Sequence, residues 1–470
     1  MRKSDDVHVV MLPWSAFGHL IPFFNLSIAL AQVGEIHVSF ISTPKNIQRL
    51  PKVPPNLKHL VNLVEFPLPN LDDKSTLLPE DAEASVDLPA EKIQYLKAAY
   101  DLLQEPIKQF IADQKPDWII VDFFQNWIVQ IAKAYDIPIV HFSIFSAASR
   151  AFLVAARASG APMPKSLTST ASEKLQFPST LAYRSYEAAE LFSSSFQEDA
   201  SGESYAQRSA KVLNACRAMA IRSCKEFEGD YLVAVHKLIS KPVIPVGLLP
   251  QPEASSSGGD LNGDHSWQRI FKWLNQQKPG SILFVGLGSE CKPNKDQVYE
   301  IADGIELSRL PFLWILQKPG WSTSDDVDPL PTGFELRTAE KGVVHIGWAP
   351  QKEILAHPSI GGSLVQGGVG SIVETLQYGH VLVVLPFVYD QGLNARLLVE
   401  KGLGIEVERK DENGSFTGKD IAKALTYAMV SEEGKELRAR AREAAAVFGD
   451  RELQNSYIAS FVEYLKNKGE

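Results

Sequence analysis

Three cysteines, Cys216, Cys224 and Cys291, lie scattered through 470 residues, an odd count at no metal-ligand spacing. They exclude a disulfide framework and read as reduced, mostly buried thiols of a cytoplasmic protein. Basic clusters are missing too. With a net charge of −9 and a pI near 5.7, nucleic acid and anionic membrane are poor partners. The amino terminus, Met1-Arg-Lys-Ser-Asp-Asp6, lacks the long apolar stretch of a secretion signal. No apolar run reaches the roughly 18 residues of a membrane span, so none is expected.

What is present is ordinary in bulk. The chain is 45% apolar and 22% charged, as in soluble proteins. It is too long for one core and suits two domains of about 200–250 residues. Residues 7–12 read as a central parallel strand, 20–30 as a helix and 36–41 as the next strand, a βαβ start. His19 sits where the chain leaves the first strand, a place where functional groups collect in such sheets. Residues 118–121 read as another short buried strand with Asp122 at its carboxyl end. A carboxylate there can accept the second N–H of His19 and orient the ring. Asp117, at the opposite end of that strand, is the structural candidate.

Prolines make 50–91 mostly loop and short strands, followed by one helix over 92–111. A helix over 126–135 and a strand over 137–142 continue the pattern. Phe145 and Phe152 then read as core residues first and as walls of a cleft second. Within the acidic, Ser-rich stretch 160–200, residues 187–196 suggest a mobile helix over the cleft. Strands at 217–222 and 242–247 complete the first half. Pro250, Pro252, Ser255-Ser-Ser-Gly-Gly259 and Gly263 cannot build a core, which makes 249–266 a linker. Strands at 281–289, 312–316, 343–346, 360–365, 381–385 and 402–407 make a second sheet. Tyr457, Ile458, Phe461, Val462 and Leu465 form an apolar stripe on the last helix, 451–465, which demands a partner surface.

The second half is organised around residues 348–391, where strand, polar tip and helix recur at short spacing, as a parallel sheet requires. Gly367, Gly368 and Gly370 let backbone approach a ligand, and a helix starting near Ser371 offers free N–H groups to an anion. These 44 residues resemble the nucleotide-sugar signature of plant UDP-dependent glycosyltransferases, family 1 of that class. The match covers Trp348, Pro350-Gln351, Leu355, His357-Pro358, Gly361, Gly368, Ser371, Glu374, Gly379, Pro386 and Asp390-Gln391. The rest of the chain agrees from about residue 7 onward, and 46–51 resemble the branch that glycosylates existing glycosides.

The resemblance implies an α/β fold of the GT-B type, two Rossmann-like domains facing each other across a cleft. Residues 1–248 would bind acceptor, 267–448 would bind the UDP-sugar, and 449–470 would form a helix packing back on the first domain. Trp348 would stack on uracil, Gln351 meet the uridine edge and Glu374 hold the ribose. Ser371 would hold the diphosphate, with Ser289 on the phosphate-side turn, and Asp390 with Gln391 would take the sugar hydroxyls. Ala349, Gln366, Gly368, Val369 and Gly370 complete the donor set. His19 and Asp122 match the family's catalytic pair.

Four positions depart from that pattern, and three of them, Gln366, Val369 and Gly370, bear on the donor. Where the family has His-Cys-Gly-Trp-Asn-Ser, this chain has Gln366-Gly-Gly-Val-Gly-Ser371. Gln366 donates through its amide but carries no charge, a loss of about 1–2 kcal/mol at a phosphate. Val369 and Gly370 leave the sugar side roomier. The expected activity is inverting, metal-independent transfer from UDP-glucose to a sugar hydroxyl of a flavonoid or terpenoid glycoside. The UDP-sugar is a substrate, no cofactor is implied, and the protein is expected to be a monomer. UDP-rhamnose as donor, a donor-impaired binding protein and a sugar-nucleotide epimerase are the alternatives.

Overall fold

The computed structural model describes residues 7–71, 76–158, 165–170, 172–250, 265–322 and 328–469. Seven strands form the first sheet: β1 (His8–Leu12), β2 (His37–Ser42), β3 (Val61–Glu65), β4 (Trp118–Val121), β5 (Ile139–Ser143), β6 (Ala218–Ile221) and β7 (Val243–Pro245). They are parallel, in the order β3-β2-β1-β4-β5-β6-β7. The second sheet holds β8 (Ile282–Gly286), β9 (Phe312–Leu316), β10 (Gly342–Ile346), β11 (Ile360–Val365), β12 (Val381–Val384) and β13 (Gly404–Glu406). It is also parallel, in the order β10-β9-β8-β11-β12-β13. Helices cover both faces, which is why the central strands read as continuous apolar runs instead of alternating. His8 is buried in β1 without penalty because its Nε2 meets Ser39 Oγ at 2.9 Å.

Each sheet reverses its strand order once, between β1 and β4 in the first and between β8 and β11 in the second. Ligands bind beyond the carboxyl ends of strands at such switch points. Two Rossmann-like domains of the GT-B type therefore present their switch points to one cleft. Bonds across the cleft hold the domains together: Ser146 and Ser149 donate to Asn394 Oδ1 at 2.7 and 3.1 Å. Ser85 donates to Glu290 at 2.9 Å, and Arg396 pairs with Glu187 at 2.5 Å.

Two expectations need correction. The helix expected over 92–111 is two helices, Ile93–Asp101 and Gln104–Gln114. Pro106 is the reason: it lacks the N–H that would bond Leu102, and it is tolerated only in the first turn of a new helix. The helix Ser185–Ser195 does border the cleft but is docked there, with Glu187 on Arg396 and Arg184 on Glu406 at 3.0 Å. The expected linker falls largely at 251–264, outside the described residues.

Helix Phe17–Gly34 is long and apolar enough to cross a membrane by length and composition, yet half of it is buried inside the fold. Its Leu20, Phe23 and Leu26 share one cluster with Ile458, Phe461, Val462 and Leu465 of helix Arg451–Lys466. Gly34 makes room for that crossing, since a Cβ there would meet Val462 methyls at 2.6 Å. Trp118 donates its indole N–H to Leu465 O at 3.0 Å. The chain thus ends on the first sheet. Phe461 is fully buried, so Phe461→Ala should destabilise the amino-terminal half by about 3–5 kcal/mol, read from its urea unfolding.

Candidate active site

β1 and β4 are neighbours, with Leu12 opposite Val121. The residues that follow them therefore meet, although more than a hundred positions separate them. His19 lies in the first turn of helix Phe17–Gly34, and its Nδ1 is 2.6 Å from Asp122 Oδ2. Asp122 also accepts the Trp14 N–H at 3.1 Å and the Phe123 N–H at 2.7 Å. Burial would raise this carboxyl, but His19's charge and hydrogen bond and the two backbone donors outweigh it. The group is held below the ordinary carboxylate range. Because Nδ1 carries the shared proton, Nε2 is the basic nitrogen left toward the cleft. Phe123 and Phe145 flank the ring at 5.5 and 5.9 Å between centroids. Phe145 is thus a wall of the cleft, against the reading as core; Phe152 is fully buried core.

The cleft has a volume of about 1780 Å3 and is lined from both domains. His19, Ser289, Trp348, Ala349, Gln351, Gln366, Gly368, Val369, Gly370, Ser371, Glu374, Asp390 and Gln391 all border it. Asp122 does not; it stands behind His19, 1% exposed. Trp348 is 72% exposed and faces Phe17 of the other domain at 6.4 Å. An uncovered indole of that size is a stacking platform for a flat ring. Gln351 Nε2 donates to Glu374 Oε2 at 2.6 Å, joining the two residues expected at uridine and ribose.

Helix Val369–Leu376 begins at Gly368 with no side-chain cap and no acidic residue in its first turn. Its first N–H groups and the positive end of its dipole are offered to an anion. Gly367 adopts φ +93°, and a Cβ there would strike Val384 at 2.7 Å, so glycine is obligatory. Gln366 lies against Gly288 at the tip of β8, and its Oε1 is buried without a partner. Val369 packs half-buried against the core, whereas a Cβ on Gly370 would touch Arg222 Nη1 at 3.9 Å.

Gln391 shows a division of labour. Its Oε1 accepts from the N–H groups of Phe387 and Val388 at 2.8 and 3.0 Å, fixing the loop after β12. Only its amide N–H groups remain for a ligand. Asp390 accepts from Asn394 Nδ2 at 3.0 Å, and burial pushes its carboxyl up to about 6. Asn394 escaped the sequence reading. It also donates to Gly367 O at 2.9 Å, so it ties the loops after β11 and β12 to the opposite domain. The signal was available, since Asp390 and Asn394 are four apart on one helical face. Glu290 and Arg222, which also line the cleft, had no such local mark.

Residues 251–449 match the family model described as UDP-glucoronosyl and UDP-glucosyl transferase. The soyasaponin III rhamnosyltransferase of Glycine max is 40% identical over 472 residues, covering 99% of this chain and 97% of that relative. The chain belongs to the UDP-glycosyltransferase family. UDP-glycosyltransferase 91A1 of Arabidopsis thaliana is likewise 40% identical, over 98% of this chain and 96% of its own length. Among solved structures, Glycyrrhiza uralensis UGT73P12 complexed with glycyrrhetinic acid 3-O-monoglucuronide superposes with a TM-score of 0.77. It is 23% identical and covers 98% of this chain and 96% of that one, a likeness of fold.

The lowered Asp122 carboxyl has a consequence for this glycosyltransferase chain. A depressed folded-state value contributes stability above the unfolded value and loses it as pH falls through the folded one. The stability advantage over Asp122→Asn should therefore be constant near neutral pH and shrink only below about the unperturbed 3.8. Urea unfolding of both proteins across acid pH measures it.

Proposed function

We propose that the protein transfers a sugar from a UDP-sugar to a hydroxyl of a small-molecule glycoside, with inversion at the anomeric carbon. The observation that carries this reading is the His19–Asp122 pair at one switch point facing, across one cleft, an uncapped helix terminus at the other. Uracil stacks on Trp348, the ribose meets Glu374, and the diphosphate takes the N–H groups around Gly370 and Ser371. Asp390 accepts from sugar hydroxyls, and the Gln391 amide donates to one.

The acceptor hydroxyl approaches from the amino-terminal side. His19 Nε2 takes its proton as the oxygen bonds the anomeric carbon, and the bond to the diphosphate oxygen breaks with its electron pair leaving on UDP. Asp122 holds the ring and stabilises the imidazolium, which afterwards releases its proton to solvent. Stabilising the leaving diphosphate falls to preorganised donors. UDP is therefore proposed to leave without a divalent metal. UDP-glucose is the first candidate donor. The name of the Glycine max relative favours a second, UDP-rhamnose.

The test is a panel of UDP-sugars against flavonoid and terpenoid glycosides, with chelator present, read as mass gain of one sugar. Transfer should survive chelation. His19→Ala should lower turnover by roughly 10²–10⁴ while UDP affinity stays nearly unchanged. Unchanged turnover in that variant removes His19 from the mechanism; UDP binding without transfer to any acceptor favours a binding protein. Asp390 adds a pH signature: because its carboxyl titrates near 6, the KM for UDP-sugar should rise below that pH. Asp390→Asn should abolish that rise.

A further inference from the structure

The diphosphate end of the cleft faces a cation from the opposite domain. Arg222 follows β6 and is 5% exposed. Its guanidinium is fixed from behind, with Nε donating to Leu248 O at 2.8 Å and Nη2 reaching Leu249 O at 3.5 Å. Nη1 has no hydrogen-bond partner among the described residues and points at the cleft wall formed by the helix terminus. It lies 3.9 Å from the Cβ position that Gly370 leaves empty.

A buried guanidinium bonded only to carbonyl oxygens is costly unless an anion completes its surroundings. No acidic side chain forms an ion pair with it among the described residues. Burial brings Arg222 down to about 10, with Glu374 opposing the shift, so the group stays charged at neutral pH. Nearby, Gln366 holds the position of the family's histidine with its Oε1 buried and unpartnered. Gly370 explains itself in this setting. Its backbone is helical and requires no glycine, but a side chain longer than a methyl would extend from a Cβ already in contact with Arg222 Nη1.

We propose that Arg222 reaches over Gly370 to the diphosphate of the UDP-sugar and supplies the positive charge that Gln366 lacks. The inference rests on the donor-site reading above. Arg222 keeps its protons: as the anomeric bond breaks, the electron pair passes to the diphosphate oxygen and the Nη1 N–H groups donate to the growing charge. Donor binding then ties the two domains together, because the charge on the diphosphate is met from both.

Calorimetry of UDP and of uridine with the wild type, Arg222→Gln and Arg222→Lys tests this. Arg222→Gln should weaken UDP about 10–100-fold and leave uridine unchanged, since uridine carries no phosphate. Arg222→Lys should bind UDP more tightly than Arg222→Gln at equal uridine affinity. Wild-type UDP affinity in Arg222→Gln overturns the proposal and leaves the donor site standing. Equal loss of uridine and UDP, or equal UDP affinity in the Lys and Gln variants, also overturns it, by showing a structural role. Failure of the wild type to bind UDP removes the donor-site reading itself.

Discussion

The bond of 2.6 Å between His19 and Asp122 joins the ends of two strands that are adjacent only because the first sheet reverses its order between them. The proposed base catalysis passes through that bond. It selects the basic nitrogen and keeps the ring directed at the cleft. Asp122 is in turn held by the Trp14 and Phe123 N–H groups, so the catalytic geometry is anchored to backbone. Such anchoring keeps a base positioned before substrate arrives, which is where much of its effect originates.

The donor side follows a different logic. A diphosphate must be met by charge or by oriented dipoles, and the proposed donor site uses the helix terminus for one and Arg222 for the other. Against the family pattern, Gln366 gives up a charge and Gly370 a side-chain donor, while the helix terminus at Gly368 stays uncapped. Asn394 bonds the loops after β11 and β12 and two serines of the opposite domain. The proposed leaving-group site is therefore cross-linked to both domains by hydrogen bonds.

Much of the fold was legible because parallel strands buried on both faces leave uninterrupted apolar runs. β9 was read to the residue for that reason. The terminal stripe from Tyr457 to Leu465 announced a partner surface, and the structure supplies it at helix Phe17–Gly34. What stayed hidden depended on long-range geometry or on a local rule overlooked. Pro106 should have split the helix expected over 92–111. Phe145 and Phe152 look alike in sequence, and only the curve of the chain after β5 sends one to the cleft and the other to the core. Arg222 and Gly370 are too far apart for any spacing argument, so their approach is visible only once both sheets are in place.

The central claim is a single displacement in which His19 takes the acceptor proton as UDP leaves from the opposite face of the sugar. The configuration of the product tests it most directly. After transfer from UDP-α-D-glucose, proton NMR of the new anomeric position should show the large coupling of a β-glucoside. An α-glucoside, with the donor's configuration retained, would contradict the account.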